Sequence, residues 1–129
     1  MRVLITGGYG FVGSSLFFNL KRSKRISIFR FKSKEFDLRK SLDTKKLINK
    51  YKPDLIINCA GKVGGILENC NKNLEFLNHN FIVNYNLINI SKDLKISKFL
   101  NLSSSCIYAY KKGKIIEEDF LNGPFEKTI

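Results

Sequence analysis

The sequence predicts an α/β fold, a doubly wound parallel sheet of about four strands, and three observations predict it. Apolar runs alternate with amphipathic stretches four times along the 129 residues, joined by short links. The runs are apolar at consecutive positions, as in Leu55-Ile56-Ile57, which suits parallel strands covered by helices on both faces. The first run, Val3-Leu4-Ile5-Thr6, opens directly into a glycine-rich turn that leads into a helical pattern. Right-handed crossovers complete the expected topology.

The turn comes first in the chain and carries the most chemistry. Gly8, Gly10 and Gly13 satisfy G-x-G-x-x-G, and Gly7, Gly10 and Gly13 satisfy G-x-x-G-x-x-G. Glycine is needed there for a sharp turn at positive φ, for close approach of backbone to a pyrophosphate, and for tight packing of helix on strand. Tyr9, Phe11 and Val12 occupy the intervening positions. The phosphates of a dinucleotide would rest on the unpaired N–H groups of the helix N-terminus.

Val12, Leu16, Phe17 and Leu20 then fall on one helical face, and Lys21-Arg22-Ser23-Lys24-Arg25 closes that helix with charges suited to its C-terminal dipole. Ile26 to Phe31 reads as the second strand. Where an NAD-binding chain carries an acidic residue for the ribose 2′-hydroxyl, Arg30 and Lys32 stand instead. Two cations there suit a 2′-phosphate and predict NADP(H).

Ser41 to Tyr51 reads as the second helix, capped by Ser41 or Asp43, with Leu47, Ile48 and Tyr51 inward and Pro53-Asp54 ending it. Leu55 to Ala60 is the third strand. It runs into the loop Gly61 to Ile66 at the carboxyl edge of the sheet, where open α/β sheets bind ligands. A long helix is expected from Asn80 to about Leu94, with Phe81, Tyr85 and Ile88 on one face, and a fourth strand from Ser97 to Ser103. Beyond Tyr108 the pattern loosens into loop.

This length supports one modest domain and excludes a nucleotide domain plus a separate substrate domain. The net charge of +12 raises nucleic-acid binding as a possibility. The densest bases, Lys32, Lys34, Arg39, Lys40, Lys45, Lys46, Lys50 and Lys52, alternate with core-type residues and carry no nucleic-acid motif, so they read as solvated lysines. Cys59, Cys70 and Cys106 form no C-x-x-C pair, which predicts neither a disulfide framework nor a metal site and fits a reducing cytoplasm. Glycines interrupt the apolar N-terminus, so it does not read as a signal peptide, and no run is long enough to span a membrane.

Several of these segments together resemble one family, the extended short-chain dehydrogenase/reductases or NAD-dependent epimerases/dehydratases, and within it the GDP-L-fucose synthases. The general markers are the turn Thr6 to Gly13, Asp37-Leu38, similar to the family's adenine-ring contact, and Asn58-Cys59-Ala60-Gly61, similar to its nicotinamide-side loop. The sharper ones are the substrate-side loop Lys62-Val63-Gly64-Gly65-Ile66, Asn80 with Asn86, and Ser104-Ser105-Cys106-Ile107-Tyr108. Ile116 to Pro124 resembles the segment that precedes the family's catalytic tyrosine. The resemblance covers the whole chain but only the N-terminal part of a typical member, so residues 1–129 are expected to form a partial, truncated Rossmann-type NADP-binding domain without a substrate domain.

The resemblance implies epimerisation at C3 and C5 of GDP-4-keto-6-deoxy-D-mannose, then hydride transfer from NADPH to C4. It implies that Ser104 hydrogen-bonds the C4 oxygen and that Cys106 moves protons, a role its reference pKa of about 8.5 allows. Asn80 would hold a water or a backbone carbonyl near the active site. His79, the only histidine, matches no family acid/base and reads as an exposed helix-start residue. Ala109 replaces the family's common proline, and Ile129 a usual asparagine. The family's catalytic Tyr-x-x-x-Lys pair comes well after the serine. Tyr108 with Lys112 and Tyr110 with Lys114 have that spacing but follow Ser104 at once, and Gly113 weakens any helix there, so the chain is expected to be inactive alone. Family members form homodimers. The competing readings are another nucleotide-sugar epimerase, dehydratase or reductase, and a non-catalytic nucleotide-binding module.

Overall fold

A computed structural model describes residues 1–109, 111 and 113–124. The chain forms β1 (Arg2–Thr6), α1 (Phe11–Leu20), β2 (Ser27–Arg30), α2 (Ser41–Tyr51), β3 (Leu55–Asn58), α3 (Ile66–Asn71), α4 (Asn73–Asp93) and β4 (Lys98–Asn101). Short 3-10 turns follow at Ser105–Ile107 and Glu117–Asp119. The residues divide into two compact units, Met1–Lys62 with Asn78–Leu102, and Val63–Leu77 with the described residues from Ser103 on.

The first unit holds a four-stranded sheet in the order β2-β1-β3-β4, with every pairing parallel. Leu4 lies opposite Phe29 on one side and Ile56 on the other. Alternation along the strands divides the apolar residues between two faces. Leu4 and Ile56 pack with Leu47 and Ile48 of α2 and Val83 and Leu87 of α4. Val3, Ile5 and Ile57 pack with Leu16, Phe17 and Leu20 of α1. The doubly wound arrangement expected from two-faced apolar strands is therefore present, with α1 on one face and α2 and α4 on the other. Each fully buried aliphatic side chain contributes roughly 1.5–3 kcal/mol, and a slip of one residue would turn the whole set over, so burial fixes the register.

Several boundaries differ from the sequence expectation. β2, β3 and β4 are shorter at their ends, because pairing stops where the chain turns off the sheet. Val12 is exposed in the first turn of α1, and Gly13 is the buried residue of that helix. Neither Ser41 nor Asp43 caps α2. Lys40 is its N-cap, without a side-chain bond, and the Asp43 carboxylate instead accepts from the Asp37 N–H at 3.4 Å.

The helix expected from Asn80 begins at Asn73, preceded by the separate and unforeseen α3, so His79 and Asn80 are interior residues. Phe81, Tyr85 and Ile88 do share a face, but it is the exposed one, with the Phe81 and Tyr85 rings stacked at 6.0 Å. The buried face is Val83, Asn86, Leu87 and Ser91, where two polar residues dilute the apolar stripe that marks a helix in sequence. Asn86 is satisfied by donating to the Leu38 carbonyl at 2.9 Å.

α2 ends on Lys52 in the left-handed conformation, at φ 42°, directly before Pro53. A side chain with a Cβ is strained there and glycine is not. Lys52→Gly is expected to stabilise the chain by up to about 1 kcal/mol. Urea unfolding would show this as a higher midpoint with an unchanged slope, and a lower midpoint would contradict it.

Candidate dinucleotide-binding site

The glycine turn follows β1 and the loop from Asn58 follows β3, so the two lie at the carboxyl ends of adjacent strands, on either side of the point where the strand order reverses. Gly7 makes the turn at φ +62°, and a Cβ on it would lie 2.5 Å from the Cys59 carbonyl oxygen. A Cβ on Gly13 would lie 2.2 Å from the Gly7 carbonyl oxygen, so the first turn of α1 rests directly on the turn below it. Gly10 is the N-cap of α1, with no side-chain cap, and the only close atom to a Cβ there is the Gly7 oxygen at 3.2 Å. The three uses of glycine are thereby separated: Gly7 turns the chain, Gly13 admits the helix, and Gly10 leaves the helix N-terminus open. The N–H groups of that first turn have no partner within the helix, and the helix dipole favours an anion beside them.

Gly8 has a reason that sequence spacing does not reveal. A Cβ there would lie 2.6 Å from the Cβ of Arg30. Arg30, the last residue of β2, donates from Nη1 to the Gly8 carbonyl at 3.2 Å. Its guanidinium carbon lies 4.1 Å from the Tyr9 ring centroid and 3.9 Å from that of Phe17. The cation is thus held by the glycine turn and by the Tyr9, Phe17 and Phe18 rings, and among the described residues the Gly8 carbonyl is its hydrogen-bond acceptor, which leaves most of its five donors open. Lys32 is exposed, with its backbone N–H donating to Glu35. Phe11 stands 97% exposed at the start of α1.

Asp37 and Leu38 are committed to the protein itself. Both Asp37 carboxylate oxygens accept from the Arg39 guanidinium, at 2.9 and 2.8 Å, and one also accepts from the Arg39 N–H. This pairing holds the Asp37 carboxyl down to about 2. The Leu38 side chain is buried and its carbonyl accepts from Asn86 and Thr44.

Asn58, only 3% exposed, accepts at Oδ1 from Thr6 Oγ1 and from the Ala60 N–H, and donates from Nδ2 to Asn84 and Asn101. Burial pushes the Cys59 thiol up, so it stays neutral. Gly61 has only Asn80 Oδ1 near its missing Cβ. Asn80 accepts from the Lys62 N–H at 2.7 Å and donates to the Lys62 carbonyl at 2.9 Å. The backbone carbonyl that Asn80 holds is therefore that of Lys62. Thr6, Asn84 and Asn101 belong to this cluster and carry no local sequence signal.

The second unit carries the remaining predicted residues. Val63 is 87% exposed, and Gly64 packs so closely that a Cβ would meet Glu68 and Phe76 at 2.7 and 2.9 Å. Gly65 is the N-cap of α3. Ser104 caps the following 3-10 turn, its Oγ accepting from the Cys106 N–H at 3.2 Å, which brings Ser104 and the half-buried Cys106 into one turn. Tyr108 forms an antiparallel bridge with Phe120. Tyr110, Lys112 and Ile129 lie outside the described residues, and with them one member of each Tyr-x-x-x-Lys spacing. Among the described residues no helix is long and apolar enough to cross a membrane.

Residues 3–129 match the NAD dependent epimerase/dehydratase family. The chain belongs to that family. Its relatives within it include a GDP-L-colitose synthase from Yersinia pseudotuberculosis, 38% identical over 99% of this chain and 42% of the relative. A GDP-L-fucose synthase from Azorhizobium caulinodans is 38% identical over 98% of this chain and 41% of the relative. Among solved structures, a GDP-L-fucose synthetase from Naegleria fowleri bound to NADP superimposes with a TM-score of 0.82 at 26% identity, over 98% of this chain and 38% of that one. The chain thus spans about 40% of the length of the relatives it matches.

The epimerase-family turn depends on the bare Cα of Gly13. Gly13→Ala is expected to lift α1 from β1 and to destabilise the chain by about 1–3 kcal/mol, as overpacking does. Thermal or urea unfolding measures this, and an unchanged midpoint would contradict the close contact.

Proposed function

We propose that this chain is the cofactor-binding part of an NADPH-dependent 3,5-epimerase/4-reductase that acts on GDP-4-keto-6-deoxy-D-mannose. The observation that carries the reading is the pairing of an uncapped helix N-terminus behind β1 with a fixed Arg30 cation at the end of β2, beside Gly8. The first feature suits a pyrophosphate and the second a 2′-phosphate. The relatives named as GDP-sugar synthases, and the NADP in the Naegleria structure, support the substrate class and the cofactor.

Within this reading Gly7, Gly8, Gly10 and Gly13, with Tyr9, Phe11 and Val12, surround the diphosphate. Arg30 and Lys32 would hold the 2′-phosphate, the segment at Asp37 and Leu38 would lie on the adenine side with its side chains kept by the protein, and Asn58 to Gly61 would lie on the nicotinamide side. Lys62 to Gly65 form the substrate-side loop. Epimerisation removes a proton from the carbon beside the C4 ketone and returns one to its opposite face, with Cys106 as one of the proton-transfer groups. Bound NADPH would supply the hydride for the C4 ketone, and the resulting oxygen would take its proton from the tyrosine of the family's Tyr-x-x-x-Lys pair. The Ser104 hydroxyl, whose lone pair takes the Cys106 N–H, keeps its proton for that oxygen. Asn80 holds the end of the β3 loop through the backbone of Lys62. A cytoplasmic homodimer fits the same reading.

The test is cofactor discrimination by fluorescence titration. The unmodified chain is expected to bind NADPH more tightly than NADH. Arg30→Ala should raise the Kd for NADPH by about tenfold or more, as loss of a charge-assisted contact does, and change that for NADH by less than about twofold. Equal affinity of the unmodified chain for both cofactors would overturn the assignment.

A further inference from the structure

The side chains behind the β3 loop form a closed hydrogen-bonded circuit. It starts at the buried Asn58, whose amide uses both lone pairs and both N–H groups: Oδ1 accepts from Thr6 Oγ1 and, at 3.1 Å, from the Ala60 N–H, while Nδ2 donates to Asn101 Oδ1 at 2.7 Å and Asn84 Oδ1 at 2.9 Å. Asn84 in turn donates from Nδ2 to the Asn80 carbonyl at 2.8 Å. Asn80 grips both backbone groups of Lys62. The chain from Asn58 through Ala60 and Gly61 to Lys62 closes the ring. The loop is thus braced at its start by Asn58 and at its end by Asn80, and Asn84 is the side chain that joins the two braces.

The Ala60 N–H can only donate, so it sets Asn58 Oδ1 toward the loop and Nδ2 toward Asn84 and Asn101. Thr6, Asn101 and Asn84 come from β1, β4 and α4, so the Asn58 side chain is held by three elements at once. The apolar sheet fixes strand register, but it does not fix the height of a loop that has left the sheet.

We infer that Asn84 is a positioning residue: by accepting from Asn58 and tying it to the turn of α4 that carries Asn80, it holds residues 59–62 in one conformation against the glycine turn. The consequence for binding, which rests on the dinucleotide reading above, is that the nicotinamide-side loop is preformed and its ordering does not oppose binding.

The test reads the loop directly, by amide hydrogen exchange in the full chain. Asn84→Ala is expected to speed exchange of the Ala60 and Lys62 amides by about three- to tenfold, the effect of one lost hydrogen bond, while the Leu4 and Ile5 amides keep their protection. Wild-type rates at Ala60 and Lys62 would overturn the proposal. Should Asn84→Ala fail to fold, Asn84→Asp decides. It keeps an acceptor for Asn58 and turns the donor facing the Asn80 carbonyl into a carboxylate oxygen that repels it, so Ala60 should stay protected while Lys62 exchanges faster, and any other pattern overturns the proposal. NADPH titration of the same variants separates the two readings. An unmodified chain without affinity for NADPH defeats the dinucleotide assignment, and the exchange rates still decide the brace.

Discussion

The contact between Gly13 and the Gly7 carbonyl oxygen is the constraint on which the site depends. A side chain at Gly13 would force α1 off the end of β1, its Cβ falling 2.2 Å from the Gly7 carbonyl oxygen, and one at Gly7 would meet the Cys59 carbonyl oxygen after β3 at 2.5 Å. With the contact made, the helix starts directly over the strand end and its first N–H groups open at the carboxyl edge of the sheet. On the other side of the turn Gly8 lies against Arg30, whose guanidinium is held where β2 ends. The open N-terminus of α1 and the Arg30 cation thus both border the glycine turn.

The rest of the first unit serves this geometry by two different physical means. Non-directional burial of Val3, Leu4, Ile5, Ile56 and Ile57 holds four strands in register and sets helices on both faces. Directional bonds then take over at the strand ends, where the apolar core stops. Thr6, Asn58 and Asn101 end β1, β3 and β4, and their side chains meet. This division puts the tolerant interaction in the body of the sheet and the orienting one next to the site.

How much of this was legible follows from the range of each interaction. The β1 turn and α1 were readable because sterics dictate glycine at fixed local spacing, and β3 because two covered faces demand consecutive apolar residues. α2 was placed from Ser41 to Tyr51 by its own periodicity. α3 and the start of α4 were not, because Ile66, Leu67, Leu74 and Leu77 are exposed and no inward stripe marks them. The buried face of α4 was hidden by Asn86 and Ser91. Likewise the links of Asn58 to Asn84 and Asn101, and of Gly8 to Arg30, join residues far apart in the chain, and no local pattern encodes such pairs. The family resemblance offered Asn80 a water or a backbone carbonyl as partner, and in the structure its amide bonds the backbone of Lys62.

The central claim is that the N-terminus of α1 is an anion cradle and that the abundant surface lysines are not the binding site. Amide chemical shifts of the labelled chain during titration with NADP test it most directly. The account predicts the largest changes at Gly8, Gly10, Phe11, Val12 and Gly13, with smaller ones at Ala60 and Gly61. Shifts confined to the lysine-rich helix α2, at Lys45, Lys46 and Lys50, with the glycine turn unmoved, would contradict it.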